Sequence, residues 1–209
     1  MSTSFSIERP ARPHNPEAIW REICWVTPNL AVSGDLPWKR EAAREQLLAW
    51  EDAGITDVFD MRGEADDSEF IHQNSEKVTS HWFGVDDNGG PRSDSWFDRL
   101  TERALEVLQD PARKALVHCH MGVNRGPSAL YAILLSLGWD HLDALRHIRD
   151  ARPIAGIIYA ADAASWKFRR DGLVDAEVAS KVDEVEAWLD RNELDIAYVI
   201  RRIGSQFAH

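Results

Sequence analysis

Residues 115 to 128 read Ala115-Leu116-Val117-His118-Cys119-His120-Met121-Gly122-Val123-Asn124-Arg125-Gly126-Pro127-Ser128. A short apolar run ends at His118, and Cys119 follows at once. Arg125 comes after five further residues, and a helical apolar run extends from Ala129 to Leu137. This order predicts a strand, a tight loop and a helix start, with a thiol at one end of the loop and a guanidinium at the other. Backbone N–H groups of a curled loop and of a helix N-terminus form a concave anion site, which also stabilises a thiolate as nucleophile. Arg125 offers a planar fork matched to two phosphoryl oxygens. Gly122 supplies a position free to take positive φ, and Pro127 fits a first helical turn, where its missing N–H costs nothing. The stretch reads as a phosphate-handling thiol.

Working outward, Cys24 to Val26, a turn at Thr27 to Asn29, and Leu30 to Gly34 read as two short strands in a hairpin-like entry. Pro37 opens a helix with Ala43, Leu47 and Trp50 on one face, and Gly54 stops it. A buried strand is expected over Ile55 to Met61 and another over Val78 to Val85. The second runs into the dense loop signal Asp86-Asp87-Asn88-Gly89-Gly90-Pro91. Ser93 or Asp94 caps a helix carrying Phe97, Leu100, Ala104 and Val107. Further helices are expected from about Asp140 to before Pro153, over Tyr159 to Arg170, Asp175 to Arg191 and Leu194 to Ile203. Strands alternating with helices are the grammar of an α/β layer. Glu64, Asp66, Asp67 and Glu69 crowd the polar stretch Arg62 to Glu76, which reads as a solvated loop or helix face.

The chain has 209 residues and a formal net charge of −11, which repels polyanions and counts against a nucleic-acid partner. Two cysteines, Cys24 and Cys119, give no disulfide framework, and a reactive thiol favours a reducing compartment. No secretory signal and no apolar run of membrane-spanning length is visible, so a cytoplasmic protein without membrane attachment is expected.

His118, Cys119, the five intervening residues and Arg125 resemble the signature loop of cysteine-dependent protein tyrosine phosphatases, nearest to the dual-specificity branch. The resemblance covers roughly Glu22 to Phe168. It implies an α/β fold with a central mixed, mostly parallel sheet flanked by helices. The expected organisation is an irregular arm over residues 1–20, a catalytic domain over 21–170 and a C-terminal helical extension over 171–209. It implies hydrolysis of phosphomonoesters, phosphotyrosine and also phosphoserine or phosphothreonine, with no metal and no cofactor. In that reading Cys119 attacks phosphorus, Arg125 binds the phosphoryl oxygens, and the loop residues His120, Met121, Gly122, Val123, Asn124 and Gly126 cradle the group. His118 supports or tunes the thiolate. The departing oxygen needs a proton, and a positioned carboxylic acid contributes about 10²–10⁴-fold. The family's acid follows an alternating apolar pattern like Phe83-Gly84-Val85-Asp86, so Asp87 is the first choice and Asp86 the reserve.

Two departures stand out. Gly126 occupies the position where most of the family carry a Ser or Thr whose hydroxyl eases the cysteine off the phosphoenzyme, and Ser128 lies about 200° further round the helix. After Arg152 and Pro153, where many relatives continue with Asn and Gln, this chain reads Ile154-Ala155-Gly156-Ile157-Ile158-Tyr159. Arg152 itself is expected to pair with Asp150 or a loop carboxylate. Competing functions are an RNA 5′-triphosphatase, because Gly122-Val123-Asn124-Arg125 resembles the corresponding segment of capping-type enzymes, and a phosphate-binding pseudophosphatase serving as an interaction module. The substrate expected is a phosphoprotein or small phosphomonoester; the loop holds no Lys of the kind found in phosphoinositide phosphatases.

Overall fold

The computed structural model describes residues 10–207, so the first nine residues of the expected N-terminal arm lie outside the described part. Its elements run α1 (Pro16–Ile19), β1 (Cys24–Thr27), β2 (Leu30–Ser33), α2 (Arg40–Asp52), β3 (Asp57–Arg62), α3 (Ser68–Asn74), β4 (Thr79–Val85), α4 (Asp94–Leu108), β5 (Ala115–His118), α5 (Arg125–Ser136), α6 (His141–Ala151), α7 (Ala160–Arg170), α8 (Asp175–Arg191) and α9 (Ile196–Gly204), closed by a 3₁₀ turn (Ser205–Phe207). Five strands form one sheet in the order β1-β2-β5-β3-β4. Only β1 runs antiparallel to its neighbour; β2, β5, β3 and β4 are parallel. The mixed, mostly parallel sheet expected from the sequence is the one found.

β5 lies at the centre, and all four of its residues are buried. A strand covered on both faces has no solvent side to alternate towards, so it reads as a continuous apolar run. Alternation still sorts its side chains. Leu116 joins Trp50, Leu47 and Ala43 of α2 and Ile71 of α3 on one face, while Val117 joins Phe97, Leu100, Leu130 and Ile133 of α4 and α5 on the other. Burying side chains of this size stabilises the fold by roughly 1.5–3 kcal/mol each. α2 stops at Gly54, whose φ of +82° closes the helix in the left-handed conformation. Ser93 caps α4 by accepting the Trp96 amide, and Asp140 caps α6 by accepting those of Leu142 and Asp143.

The two ends of the described chain meet. Ala11 forms a parallel bridge with Leu194, Arg12 pairs with Asp195 at 2.7 Å, Glu17 pairs with Arg202, and the Trp20 indole donates to Gln206 at 3.0 Å. Beneath them a third apolar cluster gathers Trp20, Val123, Ile154, Leu194, Val199 and Ile203. Val123 belongs to the loop after β5, so α9 is seated directly against that loop. No described helix is long and apolar enough to cross a membrane.

Candidate active site

Because four strands are parallel, their carboxyl ends open on one edge of the sheet, the usual place for a ligand crevice in α/β folds. β5 ends at His118 and delivers the loop Cys119 to Asn124, and α5 starts at Arg125. β3 delivers Arg62 and Glu64, and β4 delivers Asp86 and Asp87. Cys119, Arg125 and Asp87 line one pocket of about 350 Å³, together with His120, Met121, Val123 and Asn124 of the loop and Gly89, Ile158, Ile196 and Ile200. Of the two candidate acids, Asp87 enters this lining; Asp86 lies over Gly63 instead, its Oδ1 about 3.1 Å from where a Cβ would stand.

The loop's curvature is built as the sequence predicts. Gly122 has φ +61°, and a Cβ there would lie 2.3 Å from Nη2 of Arg152 and 2.5 Å from the Ser33 carbonyl. No other residue fits. Arg152 is fully buried beneath the loop and does not pair with Asp150 or a loop carboxylate. It donates instead to the carbonyls of Gly122 (2.6 Å), Trp20 (2.7 Å), Met121 (3.1 Å) and Ile19 (3.4 Å), and to the Cys24 sulfur (3.2 Å). Curling a loop so that its N–H groups face an anion turns its carbonyls outward, and a five-donor guanidinium is suited to satisfying them. Burial pulls the Arg152 pKa down, opposed by the nearby Cys24 and Cys119 sulfurs.

Arg125 is buried and held by a residue that sequence reasoning set aside. Glu64, in the acidic stretch expected to be solvated, accepts from Nη1 at 2.5 Å and from Nη2 at 2.6 Å, and the Val85 carbonyl accepts from Nη1 at 3.0 Å. The end-on fork of the guanidinium is thereby used. The side-on fork, Nε with the second hydrogen of Nη2, is not used by Glu64; its Nε is buried, makes no hydrogen bond among the described residues and lies 3.5 Å from Asp87 Oδ2. That fork has the geometry for two phosphoryl oxygens. Burial works against the Arg125 charge, but the hydrogen bonds to Glu64 and the charges of Cys119 and Asp87 hold its pKa above the ordinary value. The same bonds carry the Glu64 carboxyl down to about 2. A depressed carboxyl stabilises the fold above its unfolded pKa and loses that stabilisation as pH falls towards the folded one, so the pair stays intact at neutral pH. Replacing Arg125 by Lys is expected to lower kcat/KM for an aryl phosphate by about 10²–10³-fold, because an ammonium cannot serve both forks at once. A loss under tenfold would remove the side-on fork from the chemistry.

Asp67 of the same stretch is also engaged, whereas Asp66 and Glu69 are exposed as expected. Arg62, buried at the end of β3, pairs with Asp60 at 2.7 Å, Asp67 at 2.5 Å and Asp35 at 3.3 Å. Asp35 in turn binds His120 Nδ1 at 2.7 Å, which orients one wall of the pocket. His118 is fully buried against Trp50, with Nε2 3.8 Å from Asp60. Burial lowers its pKa, opposed chiefly by Asp60, so the ring favours its neutral form.

A side chain on Gly126 would press its Cβ to 3.3 Å from the Cys119 amide nitrogen and from the His118 carbonyl carbon. Glycine lets the first turn of α5 close onto the cysteine. Ser128 does not replace the missing hydroxyl: its Oγ donates to Asn124 at 3.4 Å and accepts the Tyr159 amide at 3.2 Å. Rapid mixing with an aryl phosphate is therefore expected to give a product burst, then slow turnover. Gly126→Ser should speed phosphoenzyme breakdown by about tenfold over Gly126→Ala, which carries the same steric load without the hydroxyl. Equal breakdown rates would show that the hydroxyl is irrelevant here.

No protein-family model matches the chain. Protein phosphatase Slingshot homolog 3 of Mus musculus is 38% identical over 55 residues, which span 26% of this chain and 8% of that protein. Among solved structures, human DUSP28 superposes with a TM-score of 0.58 at 15% identity, covering 78% of this chain and 99% of its own. Tk-PTP in its active form superposes at 0.54 with 17% identity (79% and 99%), and PTPMT1 in complex with PI(5)P at 0.55 with 15% identity (75% and 96%). These likenesses extend over nearly the whole of each solved chain, and the sheet order, the loop after β5 and the helix behind it lie within the part of this chain that the signature motif predicts. The chain has the fold of the dual-specificity and tyrosine phosphatases.

Proposed function

We infer that the chain hydrolyses phosphomonoesters, phosphotyrosine foremost, through a phosphocysteine on Cys119. The observation that carries this reading is one pocket lined by a buried cysteine, an arginine whose side-on edge faces Asp87 rather than Glu64, and that aspartate at the rim. In the first step the Cys119 sulfur forms a bond to phosphorus, the P–O bond to the leaving group breaks, and Asp87 gives its proton to the departing oxygen. The loop amides, the N-terminus of α5 and Arg125 hold the charge on the phosphoryl oxygens. In the second step the oxygen of a water molecule bonds to phosphorus, Asp87 takes a proton from it, the S–P bond breaks with its electron pair returning to the Cys119 sulfur, and inorganic phosphate leaves.

The other walls of the pocket support an aromatic leaving group. Met121, Val123, Ile158, Ile196 and Ile200 are apolar, and Arg125 is the only Lys or Arg among the lining residues. A headgroup with several phosphates would need further cations. The Asn124 side chain, the feature that resembles RNA 5′-triphosphatases, is occupied within the protein by Asp87 and the Ile158 amide. A thiolate nucleophile suits a reducing compartment such as the cytoplasm.

The test is turnover of an aryl phosphate without added metal, its sensitivity to vanadate, and a side-by-side comparison of phosphotyrosine, phosphoserine and phosphothreonine peptides with 5′-triphosphorylated RNA. Vanadate-sensitive turnover with phosphotyrosine ahead is the expected result. Faster phosphate release from the RNA would move the assignment to the triphosphatases, and binding of phosphate without any turnover would make the chain a pseudophosphatase.

A further inference from the structure

Asp87 is held by two side chains whose hydrogen-bonding directions are both fixed. The Asn124 amide nitrogen donates to Asp87 Oδ1 at 2.6 Å, and the Tyr159 hydroxyl donates to the same oxygen at 2.8 Å. Asn124 cannot be turned round, because its Oδ1 accepts the Ile158 amide at 2.8 Å. Tyr159 Oη accepts the Gly89 amide at 3.2 Å, so its own hydrogen is left for Asp87. Oδ1 therefore receives two donors and has no room for a proton. Oδ2, the other oxygen, lies 3.5 Å from Arg125 Nε, on the side where the phosphoryl group would bind.

We propose that Tyr159, together with Asn124, is a positioning residue that confines the transferred proton to Oδ2 of Asp87 and accommodates the charge left behind when that proton departs. The proposal rests on the reading of Asp87 as the acid. In the step itself the S–P bond forms, the P–O bond breaks with its electron pair passing to the leaving oxygen, and that oxygen takes the proton from Oδ2. The carboxylate that results keeps two hydrogen bonds on Oδ1, which strengthen as the charge appears.

The neighbouring chain is arranged to hold Tyr159 in this place. Residues 156–159 form a strap tied to the phosphate loop and α5 by three bonds: Gly156 N to Val123 O at 2.6 Å, Ile158 N to Asn124 Oδ1, and Tyr159 N to Ser128 Oγ. Within it Ile157, a buried β-branched residue, has φ +55°, a conformation that persists only where its surroundings impose it. On the other side Arg92 lies over the Tyr159 ring at 4.5 Å and donates to Asp86 O, Asn88 Oδ1 and Gly90 O, closing the acid loop onto the phenol. Burial, then the bond to Asp87, raises the Tyr159 pKa, so it remains an O–H donor at neutral pH.

The experiment compares two leaving groups. For phenyl phosphate, whose phenol leaves poorly without a proton, Tyr159→Phe is expected to lower kcat/KM about tenfold. For 2,4-dinitrophenyl phosphate, which needs no acid, the change should stay within about twofold, with the inhibition constant of inorganic phosphate unaltered. Asp87→Asn should show the same selectivity to a larger degree, and adding Tyr159→Phe to it should cost nothing further. Equal losses on both substrates, a raised phosphate inhibition constant, or losses that multiply in the double variant would overturn the positioning role while leaving Asp87 as the acid. If Asp87→Asn itself shows no selectivity between leaving groups, the acid assignment fails, and the proposal fails with it.

Discussion

Replacing Cys119 by serine is expected to lower turnover of an aryl phosphate by at least about 10⁴-fold, while inorganic phosphate still binds within about threefold of the parent. The physical basis is the difference between a thiol and a hydroxyl in the same cradle. A thiol is intrinsically far more acidic and, ionised, far more nucleophilic than an alcohol, so the same cradle serves the one and not the other. The two side chains are close in volume, and Cys119 is buried at the base of the pocket, so the fold should be retained. Calorimetry with phosphate and a stopped-flow assay read the two quantities separately. Turnover that survives in the serine variant would remove Cys119 as the nucleophile; phosphate binding lost along with turnover would point to collapse of the loop.

The second large effect is one of stability. Arg152→Met should destabilise the protein by about 3–5 kcal/mol, read as a shift of the denaturant midpoint at constant m-value. The loss comes from the acceptors left behind. Four backbone carbonyls lose a donor: those of Met121 and Gly122, and those of Ile19 and Trp20, which still accept the Glu22 and Gly34 amides. A buried polar group deprived of its partner costs about 1–3 kcal/mol, partly offset here because a buried charge is also removed. Arg152→Lys keeps the charge but supplies a compact donor in place of a fork, and it should recover no more than about half of the loss. A midpoint unchanged in Arg152→Met would mean that the loop keeps its curl without the guanidinium beneath it.

The parts of the site legible in the sequence were those set by local chemistry. Gly122 had to take positive φ, Cys119 and Arg125 had to stand at the two ends of a loop, and Asp87 had to follow a strand. The structure brings Cys119, Arg125 and Asp87 to one pocket, and Gly122 takes φ +61° in the loop that carries the cysteine. What escaped were the partners supplied by distant elements. Glu64 reads as one solvated acid among several until β3 is known to lie beside β5, which brings its carboxylate to Arg125. Arg152 invites a carboxylate partner by sequence proximity, yet its ligands are carbonyls from α1 and its flank and from the loop after β5. Tyr159 looks like the start of a helix and is that as well, being the residue before α7; that its hydroxyl meets an aspartate from the end of β4 depends on backbone strain at Ile157, which leaves no mark in composition or periodicity. Ile196 and Ile200 follow the amphipathic pattern expected of a surface helix, and only the docking of α9 turns them towards the pocket.

That docking also sets a timetable. On the ribosome a chain of this kind begins to fold from its N-terminal side as it emerges. The sheet, the cysteine loop and Arg125 are all present once α5 has been made, but the wall carrying Ile196 and Ile200 arrives about sixty residues later, by which time synthesis at about 5–20 residues per second has run for some seconds more. The contacts that seat it, from Ala11 to Leu194 and from Trp20 to Gln206, join residues 183 and 186 positions apart. A nascent chain can thus carry Cys119 in a partly walled cleft before α9 closes one side of it, and the completed pocket is among the last pieces of the molecule to come together.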